Sequence, residues 1–140
     1  MSSFHVASDE EIKHAETTDI YFVRTEKVLK AKKSDKIPVV ADVTASGLPE
    51  DWPWGVLCGI EEEAKLFEDI PVDVYAMPEG TIFTPEDYHG FHVPVMMIEG
   101  KYGAFCLFET PMLGLICQAS GVATQAARVR KAADDKTLLS

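Results

Sequence analysis

Few residues in this chain combine the type and the spacing that chemistry requires. His89 and His92 stand three apart beside Glu86 and Asp87, a grouping of the kind that can hold a metal ion. They fall in the turn-rich stretch TPEDYHGFH, and no further ligand follows at a suitable spacing, so the expectation is exposed loop histidines and no metal site. No nucleophile and base pair up either, because the serine and cysteine candidates lie at helix caps or inside apolar helical runs. Glu61, Glu62 and Glu63 are consecutive on a predicted helix, which spreads them around its axis and predicts a solvated face. The chain has neither a G-x-x-x-x-G-K phosphate cradle nor a G-x-G-x-x-G turn after a strand, which removes the usual nucleotide-binding routes.

Two features remain. Tyr21 follows Thr17, Thr18 and Asp19, all good helix caps, so its ring would stand beside exposed helix-start amides as a platform for a flat anionic ring. The plainer reading of the same tyrosine is a core residue packed with Val28. The second feature is Ser120-Gly121-Val122-Ala123-Thr124, where lack of bulk lets another backbone or a ligand approach closely, a tight helix-on-helix or helix-on-sheet contact being the plainer use.

The elements that must position these residues can be read from caps and periodicity. Ser8 and Glu11 form a capping box, predicting a short helix from Asp9 to about Ala15. A longer helix follows, with Tyr21, Phe22, Thr25, Val28 and Leu29 on one face, ending before Ser34. PVVADVTA alternates as a strand, Val39, Ala41, Val43 and Ala45 pointing one way. The segment from Trp54 to Asp69 reads as a helix with Leu57, Ile60, Ala64 and Phe67 inward, stopped by Pro71. VDVYAM, TIF and FHVPVMMIEG read as strands, with Pro94 marking a sheet edge or a bulge. From Tyr102 to about Ala133 the pattern is helical, Pro111 either opening the main helix behind a Thr110 cap or kinking it. The sum is an α+β unit, helices covering a small, mostly antiparallel sheet. KTLLS at the end reads as the opening of a strand with no partner in view, which suggests a truncated or split protein.

Composition narrows the function classes. At 140 residues the chain is one domain, and a net charge of −10 disfavours nucleic acid and anionic membranes as partners. Arg24, Lys27, Lys30, Lys32, Lys33 and Lys36 nevertheless crowd almost half of the 13 basic residues into one element, read most simply as a solvated helix face. Cys58, Cys106 and Cys117 are odd in number and sit in apolar runs, reading as buried free thiols of a reducing compartment. The N-terminus lacks a signal pattern and no apolar run reaches the roughly 18 residues a membrane span needs, so a cytoplasmic location is expected.

With those residues in place, the segments TTDIYF, ADVTASGLP, WGVLCGIEE, PVDVYAMPEGTIF, PVMMIEG and FETPMLGLICQASGVATQAARVR together resemble the N-terminal part of nicotinate phosphoribosyltransferase, particularly its archaeal form. SGVAT is shared with quinolinate phosphoribosyltransferases. Those enzymes, however, are expected to place an arginine about where Thr110 stands, so Glu109-Thr110 looks like the nicotinate branch.

The resemblance implies a hammerhead or barrel-sandwich N-terminal domain of a type II phosphoribosyltransferase, spanning residues 1–107. Residues 108–140 would be a connecting helix and the first strand of an α/β barrel that this chain lacks. The implied reaction joins nicotinic acid to phosphoribosyl pyrophosphate, giving nicotinate mononucleotide and pyrophosphate in NAD salvage, with Mg²⁺ and ATP serving the complete enzyme and neither bound by this chain alone. By motif, Tyr21 would stack on the nicotinate ring, Thr18 and Asp19 would shape the same wall, and Arg24 would stand nearby; no catalytic residue is assigned to this chain. The implied partners are the C-terminal barrel portion and further copies in a dimer or higher oligomer, the chain alone being inactive. A competing reading is a non-catalytic regulatory domain, or a carrier-like domain presenting Lys101 at a hairpin tip. The loop TPEDYHGFHV is longer and more polar than the tight turn the resemblance implies.

Overall fold

The computed structural model describes residues 7–139. Ser8 caps α1 (Asp9–Lys13) through the expected reciprocal box: its hydroxyl accepts from the Glu11 N–H while the Glu11 carboxylate accepts from the Ser8 N–H at 2.9 Å. The short helix delivers Ile12 into the core. Asp19 caps α2 (Ile20–Lys32), which ends at Lys33 in the left-handed conformation. No residue of α2 is fully buried. Phe22, Thr25 and Leu29 turn inward as expected, but Tyr21 and Val28 stand on the solvent side. A cation at nearly every turn leaves this helix only one weakly apolar face, so it lies on the surface.

The remaining elements build two small sheets and a helical layer. In the first sheet β5 (Pro94–Lys101) is central, flanked antiparallel by β1 (Pro38–Thr44) and β3 (Val72–Ala76). Alternation sends Val39, Ala41 and Val43 inward, as expected. Pro94 is not on an edge strand: it is the first residue of the central one, where its missing N–H costs least, opposite a bulge between Val43 and Thr44. β2 (Gly55–Val56) pairs with β4 (Ile82–Phe83) as a separate two-residue ribbon.

The helix expected over Trp54 to Asp69 is therefore shorter. Its first residues form β2, and α3 (Ile60–Leu66) begins only after Gly59, whose φ of 100° places it in the left-handed region. The carboxylate of Glu79, reaching back from the turn after β3, accepts from the N–H groups of Gly59 and Ile60 at 2.9 and 2.8 Å and so fixes that start. Burial by itself would raise the Glu79 pKa, but these amides hold it below the usual carboxylate range. Glu63 corrects a second expectation. It is 0% exposed on the inner side of α3, and neither carboxylate oxygen has a hydrogen-bond partner.

After β5 the chain turns through α4 (Tyr102–Phe105) and a 3₁₀ turn at Cys106–Phe108 into α5 (Glu109–Ala133). Pro111 is the third residue of α5, and Phe108 rather than Thr110 occupies the cap position, with no side-chain bond. The core gathers Met96 and Ile98 of β5, Leu57, Phe105, and Met112 and Ile116 of α5. Among the cysteines only Cys106 is buried, whereas Cys58 is half-buried and Cys117 exposed. One 18-residue window of the helical stretch from Tyr102 to Ala133 averages a hydropathy of 1.3, enough by length and composition for a membrane span and contrary to the sequence expectation. Small residues lift that average, and one face of α5 packs on β2 and α3. Beyond Asp134, residues 136–139 pair with no strand among the described residues, and Ser140 lies outside them.

Gly103 anchors α4 against the connection between α2 and β1, its N–H donating to the Asp35 carbonyl at 3.1 Å. A Cβ there would stand 2.6 Å from that same oxygen. Gly103→Ala is expected to cost about 1–3 kcal/mol by forcing two backbones apart. Urea unfolding measures it, and an unchanged midpoint would refute the tight contact.

Candidate functional site

The Tyr21 corner is built where the chain enters α2 and where α5 begins. The Asp19 Oδ1 accepts from the Tyr21 N–H at 2.7 Å, closing the first turn of α2. The Asp19 N–H in turn donates to the Thr110 hydroxyl at 3.0 Å, joining residues 91 apart in sequence. Thr110, expected as a helix cap, is thus the tether that fixes the start of α2 to the long helix. Tyr21 is 65% exposed and stands edge-on to Phe22, ring centroids 5.2 Å apart, so its own ring is free on one side.

The amide half of the predicted platform is taken, because the Asp19 carboxylate already occupies the Tyr21 N–H. What remains beside the ring is Arg24, exposed one turn along and without an ion-pair partner among the described residues. Thr18 and Thr17 are half-buried, and both hydroxyl oxygens lack a partner. Behind them a cavity of about 260 Å³ opens between α1 and α5, lined by Ile12, Thr17, Thr110, Pro111, Leu115 and Gln118. The structure therefore brings Thr17, Thr18, Asp19 and Tyr21 together and adds Thr110 and Gln118, which the local sequence pattern did not connect to them.

A second pair supports this corner. Tyr102 donates to Glu109 Oε1 at 2.6 Å across the turn that joins α4 to α5. Burial, and then the bond to the Glu109 carboxylate, push the phenol above its ordinary pKa, so it remains a donor throughout the physiological range. Sequence offers a faint signal for the pair, a tyrosine and a glutamate seven apart on what reads as one helical stretch.

The small-residue segment of α5 meets a strand rather than a ligand. The Ser120 hydroxyl accepts from the Cys58 N–H and donates to the Cys58 carbonyl, both at 3.0 Å, and the Thr124 hydroxyl accepts from the Val56 N–H at 2.8 Å. Helix side chains thereby satisfy the edge of β2 that β4 leaves open. A Cβ on Gly121 would meet nothing, and that residue faces a groove of about 390 Å³ between α5 and the connection from β1 to β2. At the far end of this groove the Arg128 guanidinium lies over Trp52 at 4.1 Å and pairs with Glu50 at 3.0 Å.

The histidine loop holds no ligand set. His89 stacks on Tyr88 at 3.8 Å, His92 bridges Glu86, and no group of three metal-binding side chains converges among the described residues. Lys101 closes β5 and leads directly into α4, so it is not the hairpin-tip lysine that a carrier domain needs.

The geometry is thus an antiparallel sheet backed by a long helix, with an aromatic corner tied across α2 and α5. The chain belongs to the quinolinate phosphoribosyl transferase N-terminal domain family, whose model matches residues 19–120. Several of its relatives are nicotinate phosphoribosyltransferases by name. It is 48% identical over 69 residues to nicotinate phosphoribosyltransferase 2 of Arabidopsis thaliana, covering 49% of this chain and 11% of that protein. The crystal structure of nicotinate-nucleotide pyrophosphorylase from Pyrococcus furiosus superposes with a TM-score of 0.85 at 53% identity, over 97% of this chain and 33% of that one. Human nicotinic acid phosphoribosyltransferase shares the fold, with a TM-score of 0.70 at 23% identity, covering 87% of this chain and 30% of that one. The chain thus spans about a third of the length of these solved relatives.

Proposed function

We propose that this chain is the substrate-binding N-terminal part of a nicotinate phosphoribosyltransferase, in which the barrel portion joins nicotinic acid to phosphoribosyl pyrophosphate and releases nicotinate mononucleotide and pyrophosphate. The observation that carries the reading is the tethered, outward-facing Tyr21, a rigid aromatic ring held at a corner with Arg24 one turn away. A pyridine carboxylate is flat and anionic, so it can stack on the one and be attracted by the other. The likeness to nicotinate phosphoribosyltransferases supports the same substrate. On this reading the sheet and helices form the hammerhead or barrel-sandwich domain, α5 leads toward the barrel, and the assembly is a cytoplasmic oligomer in NAD salvage.

In this division of labour the chain positions the ring, and the barrel contributes the groups that touch the phosphates. Mg²⁺ and ATP belong to the complete enzyme. Among the described residues the carboxylates of this chain do not converge into a group of three that could hold the ion.

The test is kinetic, with the chain assayed together with the barrel portion. Tyr21→Ala is expected to raise the KM for nicotinic acid about tenfold, the worth of one aromatic stack, while Tyr21→Phe stays near the parent value. Parental kinetics in Tyr21→Ala would remove the residue from the site.

A further inference from the structure

The helix that carries Tyr21 and Arg24 is held only in part by burial. No residue of α2 is fully buried, so polar ties complete its placement, and these lie at its two ends. At the first end the Asp19 N–H donates to the Thr110 hydroxyl at 3.0 Å. At the other, Lys33 takes the left-handed conformation and the Ser34 N–H returns to the Leu29 carbonyl at 2.9 Å. The Ile37 N–H then donates to the Ser34 carbonyl at 3.2 Å, so residues 34–37 are fastened onto the last turn of the helix. That connection accepts twice from α4: the Tyr102 N–H donates to the Ile37 carbonyl at 3.3 Å and the Gly103 N–H to the Asp35 carbonyl at 3.1 Å.

The two holds meet at the start of α5. Thr110 grips the first end of α2, and Glu109, the residue before it, accepts from the Tyr102 hydroxyl at 2.6 Å. Tyr102 therefore belongs to both: its backbone grips the connection after α2, and its side chain reaches the turn that grips the residue before α2. At 2.6 Å the bond has the length of a charge-assisted one, and both partners are half-buried, where water competes less. Buried Phe105 braces the Tyr102 ring edge-on at 5.4 Å. Only the 3₁₀ turn at Cys106–Phe108 separates α4 from α5, so a bond across that turn sets the angle between the two helices and hence the spacing of the two holds.

We infer that Tyr102 and Glu109 are positioning residues for the Tyr21 and Arg24 corner: their bond fixes the bend between α4 and α5, and through the holds at both ends of α2 it fixes where that helix presents the ring. Neither residue touches substrate in this role. The inference rests on the substrate corner proposed above and adds the device that keeps the corner in place.

Tyr102→Phe, Glu109→Ala and Glu109→Gln test it, with circular dichroism confirming the fold of each variant. Hydrogen exchange on the 140-residue chain reads the holds without catalysis. Tyr102→Phe and Glu109→Ala should exchange about tenfold faster across α2 while β5 keeps its parental protection. Kinetics with the barrel portion then read the consequence. Both variants are expected to raise the KM for nicotinic acid about fivefold with kcat within about twofold of the parent, as for lost positioning of bound substrate. Glu109→Gln keeps an acceptor oxygen at the same reach and should lie closer to the parent than Glu109→Ala. In a Tyr21→Ala background Tyr102→Phe should raise KM by less than about twofold, because the ring it positions is gone. Unchanged exchange across α2, or protection lost equally in β5, would reduce the bond to general support of the fold and overturn the inference. So would a rise in KM that persists undiminished in Tyr21→Ala, or a parental KM in Tyr102→Phe where Tyr21→Ala raises it. Parental kinetics in Tyr21→Ala would instead strike the substrate corner itself, and the positioning role with it, whatever the exchange across α2.

Discussion

Glu63→Gln is expected to lie progressively further above the parent in stability as pH rises from about 5 to 9, and to run parallel to it beyond. Burial, and then the neighbouring charge of Glu62, push the Glu63 carboxyl up to about 9 in the folded chain. Unfolding returns it to the ordinary range near 4.5. Between those values the folded state holds a proton that the unfolded state has released, so alkali favours unfolding. The contribution is fully present below the unfolded pKa and is lost as pH rises through the folded one. At 1.36 kcal/mol per pH unit, the parent gives up about 3 kcal/mol between the unfolded pKa and pH 7 relative to a variant that does not titrate. Glu63→Leu, which also removes the unpartnered polar atoms, should be the more stable chain outright at pH 8. Urea unfolding across the pH range measures the difference, and a constant gap between Glu63→Gln and the parent would refute a protonated buried carboxyl.

Ser120→Ala combined with Thr124→Val is the second large effect. Ser120→Ala strips two hydrogen bonds from the half-buried Cys58 backbone and Thr124→Val strips one from Val56, and each should cost about 1–3 kcal/mol. Thr124→Val keeps the shape of the side chain, so its loss reads the hydroxyl alone. The double variant should fall short of the sum, since both side chains hold one short segment, β2 and the two residues after it, and its release needs only one failure. Hydrogen exchange at Val56 and Cys58 gives a local readout. Faster exchange confined to β2 and β4 is the expected pattern, and unchanged protection there would remove the helix side chains from the support of that strand.

Of these residues Glu63 departs from its sequence expectation, while Ser120 and Thr124 meet theirs in kind but not in partner, and each outcome has an identifiable reason. Glu63 sits in a run of three glutamates, and helical geometry sends one member of any such run inward if the helix is packed on that side. Which side is packed depends on where Gly59 starts α3, and Gly59 is fixed by Glu79 from twenty residues away. Ser120 and Thr124 were legible as a close contact, four apart on one helical face, but their partner strand is too short to announce itself. By contrast α1 with its capping box, the limits of α2, and the strands β1, β3, β4 and β5 follow local rules of capping and alternation and stand where those rules put them.

What the sequence determined by itself is most of the elements, β2 and the start of α3 excepted, and the class of protein, because caps, period and turn residues act within a few positions and the family's segments can be read as short strings. What only the tertiary structure decided is the company each side chain keeps. Thr110 reads as a cap from its neighbours and becomes a tether only because Asp19 arrives from 91 residues away. Tyr21 reads more simply as core than as surface from its spacing, and lies outside because α2 turns Phe22, Thr25 and Leu29 inward instead. Contacts between distant segments depend on how the elements pack, and no local pattern carries that information.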